Sequence, residues 1–403
     1  MSPPESAYHQ PWLRRQGDST GAPITVLVVL GVLAGVFAVI AGVSDPIGLL
    51  IAVPLSGMAT LVVLACYLWL DRWEPEPTRL LLLAFLWGAT VAIVISLVLE
   101  LGTSEVLGRG MVRIIAAPAI EEAAKGAFLL VMLTGARRRE FDGVIDGLVY
   151  AGVTAIGFAF IEDIGYIAQS FGQGTDAGVL TIIMRLVLAP FAHPMFTSMT
   201  GLGVGLAVNQ RRGSATWLLP VTGYLAAVAL HALWNGSLTF GFVGYVTVYL
   251  VVMLPTFAGG ILIARHHRRR ERDIVIRQLP AMVYYRWVTP AEAGWLGSIA
   301  ARKMWERSVG SRSGKAGARA LRGFQTAVTE LAFLRDRVER GAGPADAYYL
   351  HAELLDALAR NRALAQVPLR QNPPVTPAMR PEPPAYAPGA RPWTGPDQPR
   401  RWR

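Results

Sequence analysis

Cysteine is nearly absent from this chain. Cys66 stands alone among 403 residues, so there is no intrachain disulfide framework, and the residue reads as a small packing group within an apolar run. Charge is scarce as well. Acidic and basic residues make up 16% of the chain against 53% hydrophobic, far from the roughly 25% charged typical of soluble domains. That balance excludes an ordinary soluble globule and indicates an integral membrane protein. Lysine is the rarest charge, with three in the chain, and Lys125 is the one that falls inside a hydrophobic run. Arginine outnumbers it greatly, which we ascribe to coding bias. No internal repeat is visible, which argues against the inverted-repeat plan of many transporters.

What is present in quantity is apolar sequence. Runs of roughly 20 residues, the length that crosses about 30 Å of hydrocarbon, are read near 23–42, 47–70, 80–101, 110–134, 143–168, 179–208, 217–236 and 240–264. The expected fold class is therefore all-α, a polytopic bundle of about eight transmembrane helices. Arg14 and Arg15, Arg72 and Arg79, Arg137 to Arg139, Arg211 and Arg212, and the stretch from His266 to Arg272 make every second loop basic. The positive-inside rule then places both termini in the cytoplasm, with Arg109 and Arg113 as the exception. The net charge of +10 lies mostly in these loops and the tail, where it can hold anionic lipid; it does not point to nucleic acid. Residues 1–22 read as a disordered, uncleaved N-terminus and 23–264 as the transmembrane domain. Residues 265–366 read as a basic, mostly helical region, with a capping box at Thr289-Pro-Ala-Glu292 and helical periodicity over 318–340 and 345–366. The Pro/Arg-rich 367–403 cannot bury a core.

Four polar pieces interrupt the apolar runs: Glu121 and Glu122 with Lys125, Phe158 with Glu162, His193 with Thr197, and His231 with Asn235. Ionisable groups inside a membrane are costly and are read by default as a functional site. Glu121 and Lys125 are four apart and share a helix face, while Glu122 points about 100° away. Two acids in a low-dielectric site repel, which holds one poised for proton transfer to or from water. The bland alternative is a polar stripe satisfied by Lys125. Glu162, with Asp163 beside it, can ligate a metal, position water or pair with a cation; alternatively both reach the outer interface near a helix end. Each histidine has a polar residue one turn on, able to orient it or to supply an oxyanion donor.

Depth offers a separate check. If Arg113 and Arg185 both snorkel at the outer interface, Glu121 and His193 each lie eight residues inward, about 12 Å at 1.5 Å per residue. Glu162 and His231 precede the outer ends of their runs by roughly 8 to 12 Å on the same rise. All four pieces then meet in the outer leaflet, as one shared pocket requires.

At these residues the chain resembles the PrsW-type intramembrane proteases, themselves distantly similar to the CAAX-prenyl protease superfamily. The resemblance covers about residues 65–265 and rests on Asp71-Arg-Trp-Glu-Pro-Glu-Pro77, Glu121-Glu-Ala-Ala-Lys125, Gly157-Phe-Ala-Phe-Ile-Glu162, His193-Pro-Met-Phe-Thr-Ser-Met-Thr-Gly201 and Leu230-His-Ala-Leu-Trp-Asn235. Asp163 departs from the pattern, where Asn is more frequent. The resemblance implies hydrolysis of a peptide bond in a membrane-anchored protein substrate, for example a membrane-bound anti-sigma factor in regulatory proteolysis. It implies catalytic roles for Glu121, Glu122, Glu162, His193, His231 and Asn235. His193, His231 and Glu162 match the ligand set of a catalytic zinc. No His-Glu-x-x-His sequence is present, however, and the related prenyl proteases look like enzymes in which glutamate activates water directly, so both chemistries stand. The rival class is a proton-coupled transporter or channel using the same Glu and His residues. A non-catalytic scaffold acting through its tail is a third.

Overall fold

The computed structural model describes residues 46–365 apart from 74, 209, 211, 212 and 345. The span expected at 23–42 and the segments expected to be disordered, 1–22 and 367–403, lie outside the described residues. Among those described, every regular element is a helix. In chain order these are α1 (Pro46–Leu70), α2 (Thr78–Leu107), α3 (109–132), α4 (Val144–Phe171), α5 (175–188), α6 (Ala192–Val208), α7 (Ala215–Ser237), α8 (241–284), α9 (Pro290–Leu296), α10 (Ile299–Glu339) and α11 (Ala347–Leu364).

Among the described residues five stretches are long and apolar enough to cross a membrane: α1, α2, α4, Thr175–Val208 and Thr216–Tyr284. The last of these is two helices in succession, because a 3₁₀ turn over Leu238–Phe240 and Gly241 at φ 66° separate α7 from α8. Positive φ at that step suits glycine alone among common residues. The run 179–208 is likewise interrupted. Pro190 lacks the N–H that an unbroken helix needs, Ala189 leaves the helical region at φ −126°, and the chain restarts at Ala192. Helix α3 is less apolar because Arg113, Glu121, Glu122 and Lys125 lie on it, yet it packs against α2, α4, α6 and α7.

Helix α4 is the centre of the bundle, with most of its length buried against α1, α2 and α6. Glycine sets how closely its neighbours approach. A Cβ on Gly147 would strike the Gly201 carbonyl and one on Gly205 the Gly143 carbonyl, so α4 and α6 meet backbone to backbone, as small residues permit in membranes. In that antiparallel register Phe158 comes level with His193, their rings 5.6 Å apart. Gly203 and Gly223 do the same for α6 and α7, which brings His193 level with His231. The glycines that look like mere packing positions therefore align the histidines. Cys66, by contrast, lies exposed on α1 and is not a packing residue.

Helix α8 runs on without a break from the apolar run into the helical unit that follows. Its Ile274, Val275, Leu279 and Met282 join Trp305, Leu321, Phe324 and Val328 of α10 in one core, which also takes in Trp73 from the loop between α1 and α2. Arg302 is buried there beneath Trp73, with its guanidinium bonded to the Leu296 carbonyl and Thr329. Burial pulls it down to about 9. The capping box forms as expected: Thr289 Oγ1 accepts from the Glu292 amide, and Glu292 accepts from the Thr289 amide at 2.8 Å. Helix α10 starts at Ile299, well before the expected 318, with a kink at Gly314 where φ is 66°. Arg337 pairs with Asp142 at 2.7 Å, tying this unit to the loop that leads into α4. Across the bundle's same end, Tyr150 Oη donates to Glu76 at 2.5 Å, and Asp71 accepts the Glu76 amide at 2.7 Å. Burial pushes Asp71 up to about 8 and Glu76 up to about 11, so the 71–77 loop docks with carboxyls that hold their protons.

Candidate active site

Lys125 organises the site. Pro118 follows the π-helical stretch Val112–Ala116 within α3, where the regular hydrogen-bond ladder is already interrupted, and one to two turns later Glu121, Glu122 and Lys125 project inward. All three are buried, Lys125 with no exposure at all. Its ammonium donates to Glu121 Oε2 at 3.0 Å, Glu122 Oε1 at 2.9 Å and His193 Nδ1 at 3.1 Å. Three donors thus meet three acceptors, and the ammonium also lies 3.9 Å from the centre of the Phe158 ring, a favourable cation–π placement.

These bonds assign the tautomers. His193 Nδ1 accepts from Lys125, so its Nε2 carries the proton and donates to Glu162 at 2.7 Å. His231 Nδ1 donates to Glu122 Oε1 at 3.0 Å, which leaves its Nε2 lone pair directed toward Glu121, 3.9 Å away. His193 Nδ1 is also 3.9 Å from Glu121 Oε2. Both oxygens of Glu122 are engaged, since the second accepts from Thr197 at 2.7 Å. The two adjacent acids are therefore unlike: Glu122 is locked by Lys125, His231 and Thr197, whereas Glu121 faces both imidazoles across a gap.

The structure brings together five of the residues singled out from the sequence, Glu121, Glu122, Glu162, His193 and His231. Asn235 is apart from them. Its Nδ2 donates to the Arg113 carbonyl at 3.0 Å, so it braces α7 against α3 and offers nothing to His231. Thr197 serves Glu122, not the histidine one turn before it. Arg185 does not snorkel: its guanidinium pairs with Glu162 and with Asp163 at 2.5 Å. The reason is electrostatic, because two adjacent, partly buried carboxylates offer a cation more than the distant interface does. This overturns Arg185 as a marker of depth. Glu162 and Asp163 also lie eight to nine residues before the end of α4 at Phe171, and so are not a frayed terminus.

Sequence reading passed over Arg185 as a site residue and Glu100 entirely. Glu100, half-buried on α2, lies in the electrostatic field of Glu121, Glu162 and Lys125. An acid near the end of an apolar run was the available signal. Counting it, five carboxyl groups, Glu100, Glu121, Glu122, Glu162 and Asp163, stand around two cations, Lys125 and Arg185. Such a surplus suits protons or a divalent cation.

The donor set fits a metal. One ligand atom from each of Glu121, His193 and His231 lies within 4.8 Å of the others, and two imidazoles with one carboxylate leave the fourth tetrahedral position open. Ligand atoms around zinc stand about 3.4 Å apart for bonds near 2.1 Å, so separations of 3.9 Å from Glu121 and of up to 4.8 Å within the group call for a contraction, and Lys125 has to leave Glu121 Oε2. His193 has to release one present partner, Lys125 or Glu162, to take part. The carboxylate grouped with the histidines is Glu121, not Glu162, which instead holds His193 Nε2.

Residues 76–260 match the sequence model of the family described as PrsW family intramembrane metalloprotease. The chain is 29% identical over 211 residues to Protease PrsW of Geobacillus kaustophilus, covering 45% of this chain and 88% of that relative. It is 25% identical over 228 residues to Protease PrsW of Oceanobacillus iheyensis, covering 55% and 97%. The Bacillus subtilis Protease PrsW is 25% identical over 167 residues, covering 40% and 72%. No solved structure matches.

Proposed function

The chain belongs to the PrsW family of intramembrane metalloproteases, and from that premise we propose that Glu121 is the proton acceptor for the attacking water. The observation that carries this is the asymmetry of the pair: Glu122 has both oxygens engaged, while Glu121 faces His193 and His231 across 3.9 Å gaps. Glu122 sets His231 and Lys125. Glu162, itself fixed by Arg185, orients His193 through Nε2. The imidazoles line the gap beside Glu121, and Lys125 supplies the positive charge that favours the tetrahedral oxyanion.

In a metal-bound form Glu121, His193 and His231 would hold zinc, and Glu121 would then serve as a ligand in place of its role as proton acceptor. A bound zinc supplies Lewis acidity and lowers the pKa of its water to about 7. Active purified protein should then carry close to one zinc per chain, and chelation should stop cleavage reversibly. Activity persisting in protein shown by elemental analysis to be metal-free would refute the metal and leave Glu121 activating water directly.

We further propose about eight spans with both termini cytoplasmic, and a cut near the extracytoplasmic face of a membrane-anchored regulatory protein, an anti-sigma factor being one such class. Without Arg185 as a marker, position along the helices still supports this reading. Glu162 and His231 lie nearer the ends of α4 and α7 that are remote from the 71–77 loop and the C-terminal unit. Glu121 and His193 lie near the middle of their stretches, Glu121 about 12 Å inward of the exposed Arg113. Unwinding a substrate helix near its end also breaks fewer hydrogen bonds in lipid than unwinding its centre. The new substrate terminus, mapped by mass spectrometry, should fall on the extracytoplasmic side of its span, and a cytoplasmic cut would refute the orientation. On this topology the C-terminal unit lies opposite the chemistry and serves control.

A further inference from the structure

A cavity of about 180 Å³ opens beside the site, lined among others by Leu188, Phe191, Met195, Trp234, Met253 and Phe257. We propose that it is a specificity subsite holding one apolar side chain of the substrate, that of a residue flanking the cleaved bond. The proposal rests on the protease reading above and adds where selectivity resides.

Three observations converge on it. The first is position. Ala192 precedes His193 and Met195 follows it by two, while Trp234 is three residues beyond His231 on α7, so the cavity wall continues the two histidine-bearing segments. Phe196, stacked on His231 with centroids 4.9 Å apart, belongs to the same apolar cluster as Met195 and Met253. The second is shape. The deep residues Met195 and Met253 are buried, whereas the rim residues Val187, Leu188 and Leu254 are 65%, 39% and 41% exposed. The opening is thus sideways, through an apolar rim, in the direction from which a membrane-anchored substrate arrives. The third is the chain break at Ala189-Pro190-Phe191, which forms one wall. Irregular backbone within a membrane is tolerated where it lines a cavity, and here it ends immediately before His193.

Size selects the occupant. A cavity of about 150 Å³ lined by Leu, Ile and Phe accommodates benzene, so this one, at about 180 Å³, suits a single leucyl, methionyl or phenylalanyl side chain and is too small to enclose a whole lipid tail. Two methionines in the deep wall can repack around different shapes, which predicts breadth among large apolar residues with rejection of charged ones.

The test uses the full-length protein in vesicles with a set of otherwise identical membrane substrates carrying Ala, Leu, Phe, Trp or Asp beside the cut. For wild type, Leu and Phe should exceed Asp by at least 10-fold in kcat/KM. Leu254→Trp fills the cavity from its rim and should lower the Leu-to-Ala ratio at least 10-fold, the scale expected for a few methylenes in a hydrophobic pocket. Phe257→Ala enlarges it and should raise Trp relative to Leu. Ratios between substrates do not depend on the fraction of enzyme folded, and the two variants act in opposite directions. Ratios unchanged in both variants would overturn the subsite. A loss equal for every substrate that tracks the acyl-chain length of the vesicle lipid would assign the cavity to lipid and overturn it too. Failure of wild type to cleave any of the set, or cleavage that survives Glu121→Gln, would instead strike the protease reading itself.

Discussion

Glu121→Gln and His193→Ala should each lower the rate of substrate cleavage by about 10³-fold or more, since each removes a group that moves or positions a proton in the transition state. Glutamine keeps the shape of Glu121 and can still accept the bond from Lys125, but it cannot take a proton from water. His193→Ala removes the imidazole between Lys125 and Glu162, so it frees one donor of Lys125 and unhooks Glu162 together. Both variants should insert at near-normal levels, because the removed atoms face the gap and leave the Gly147–Gly201 and Gly203–Gly223 helix contacts untouched. The measurement is cleavage of a membrane-anchored substrate, normalised to inserted enzyme. Full cleavage by either correctly inserted variant would sink the assignment of Glu121 and His193.

Why some of this was legible in sequence and some not follows from the range of each interaction. Glu121 and Lys125 declare themselves, since spacing on one helix fixes a shared face, and the structure pairs them at 3.0 Å. The gathering of four segments was legible because ionisable groups in lipid must find one another. Partner choice within the cluster was not. Spacing of four suggested that Thr197 and Asn235 orient the histidines, but Thr197 reaches across to Glu122 and Asn235 to the Arg113 carbonyl, a matter of helix rotation that single-helix periodicity does not carry. Arg185 was misread for a similar reason: an arginine in an apolar run can rise to the interface or turn inward, and the deciding feature, two adjacent acids on α4, lies more than twenty residues away. The stretch 179–208 read as one run because hydropathy averages over Pro190, although proline's missing N–H was visible at that position. The close glycine contacts could have been suspected from their small-residue spacing, yet which helices they join depends on tertiary packing.

Lys125→Met should be the most destabilising single change in the chain. The lysine is wholly buried, and its ammonium stands between two adjacent carboxylates, one of them also wholly buried. Removing one partner of a buried ion pair costs about 3–5 kcal/mol because the remaining charge is left uncompensated, and here two like charges would be left side by side. Methionine fills the volume, so the effect isolates charge from packing. Adding Glu122→Gln to Lys125→Met removes one of the two stranded carboxylates and should restore part of the loss, whereas Glu122→Gln alone should destabilise modestly by weakening the bonds to Lys125 and His231. Lys125→Arg should fail to substitute, because a planar guanidinium fork does not present three donors as a tripod toward Glu121, Glu122 and His193. Thermal unfolding of the purified variants, with the yield of inserted protein as a second readout, measures all four. The coupling between positions 122 and 125 is the decisive quantity: if the double variant is as unstable as the sum of the two single changes, the ammonium is not neutralising the acid pair, and the description of Lys125 as the centre that holds Glu121 and Glu122 together in the membrane is wrong.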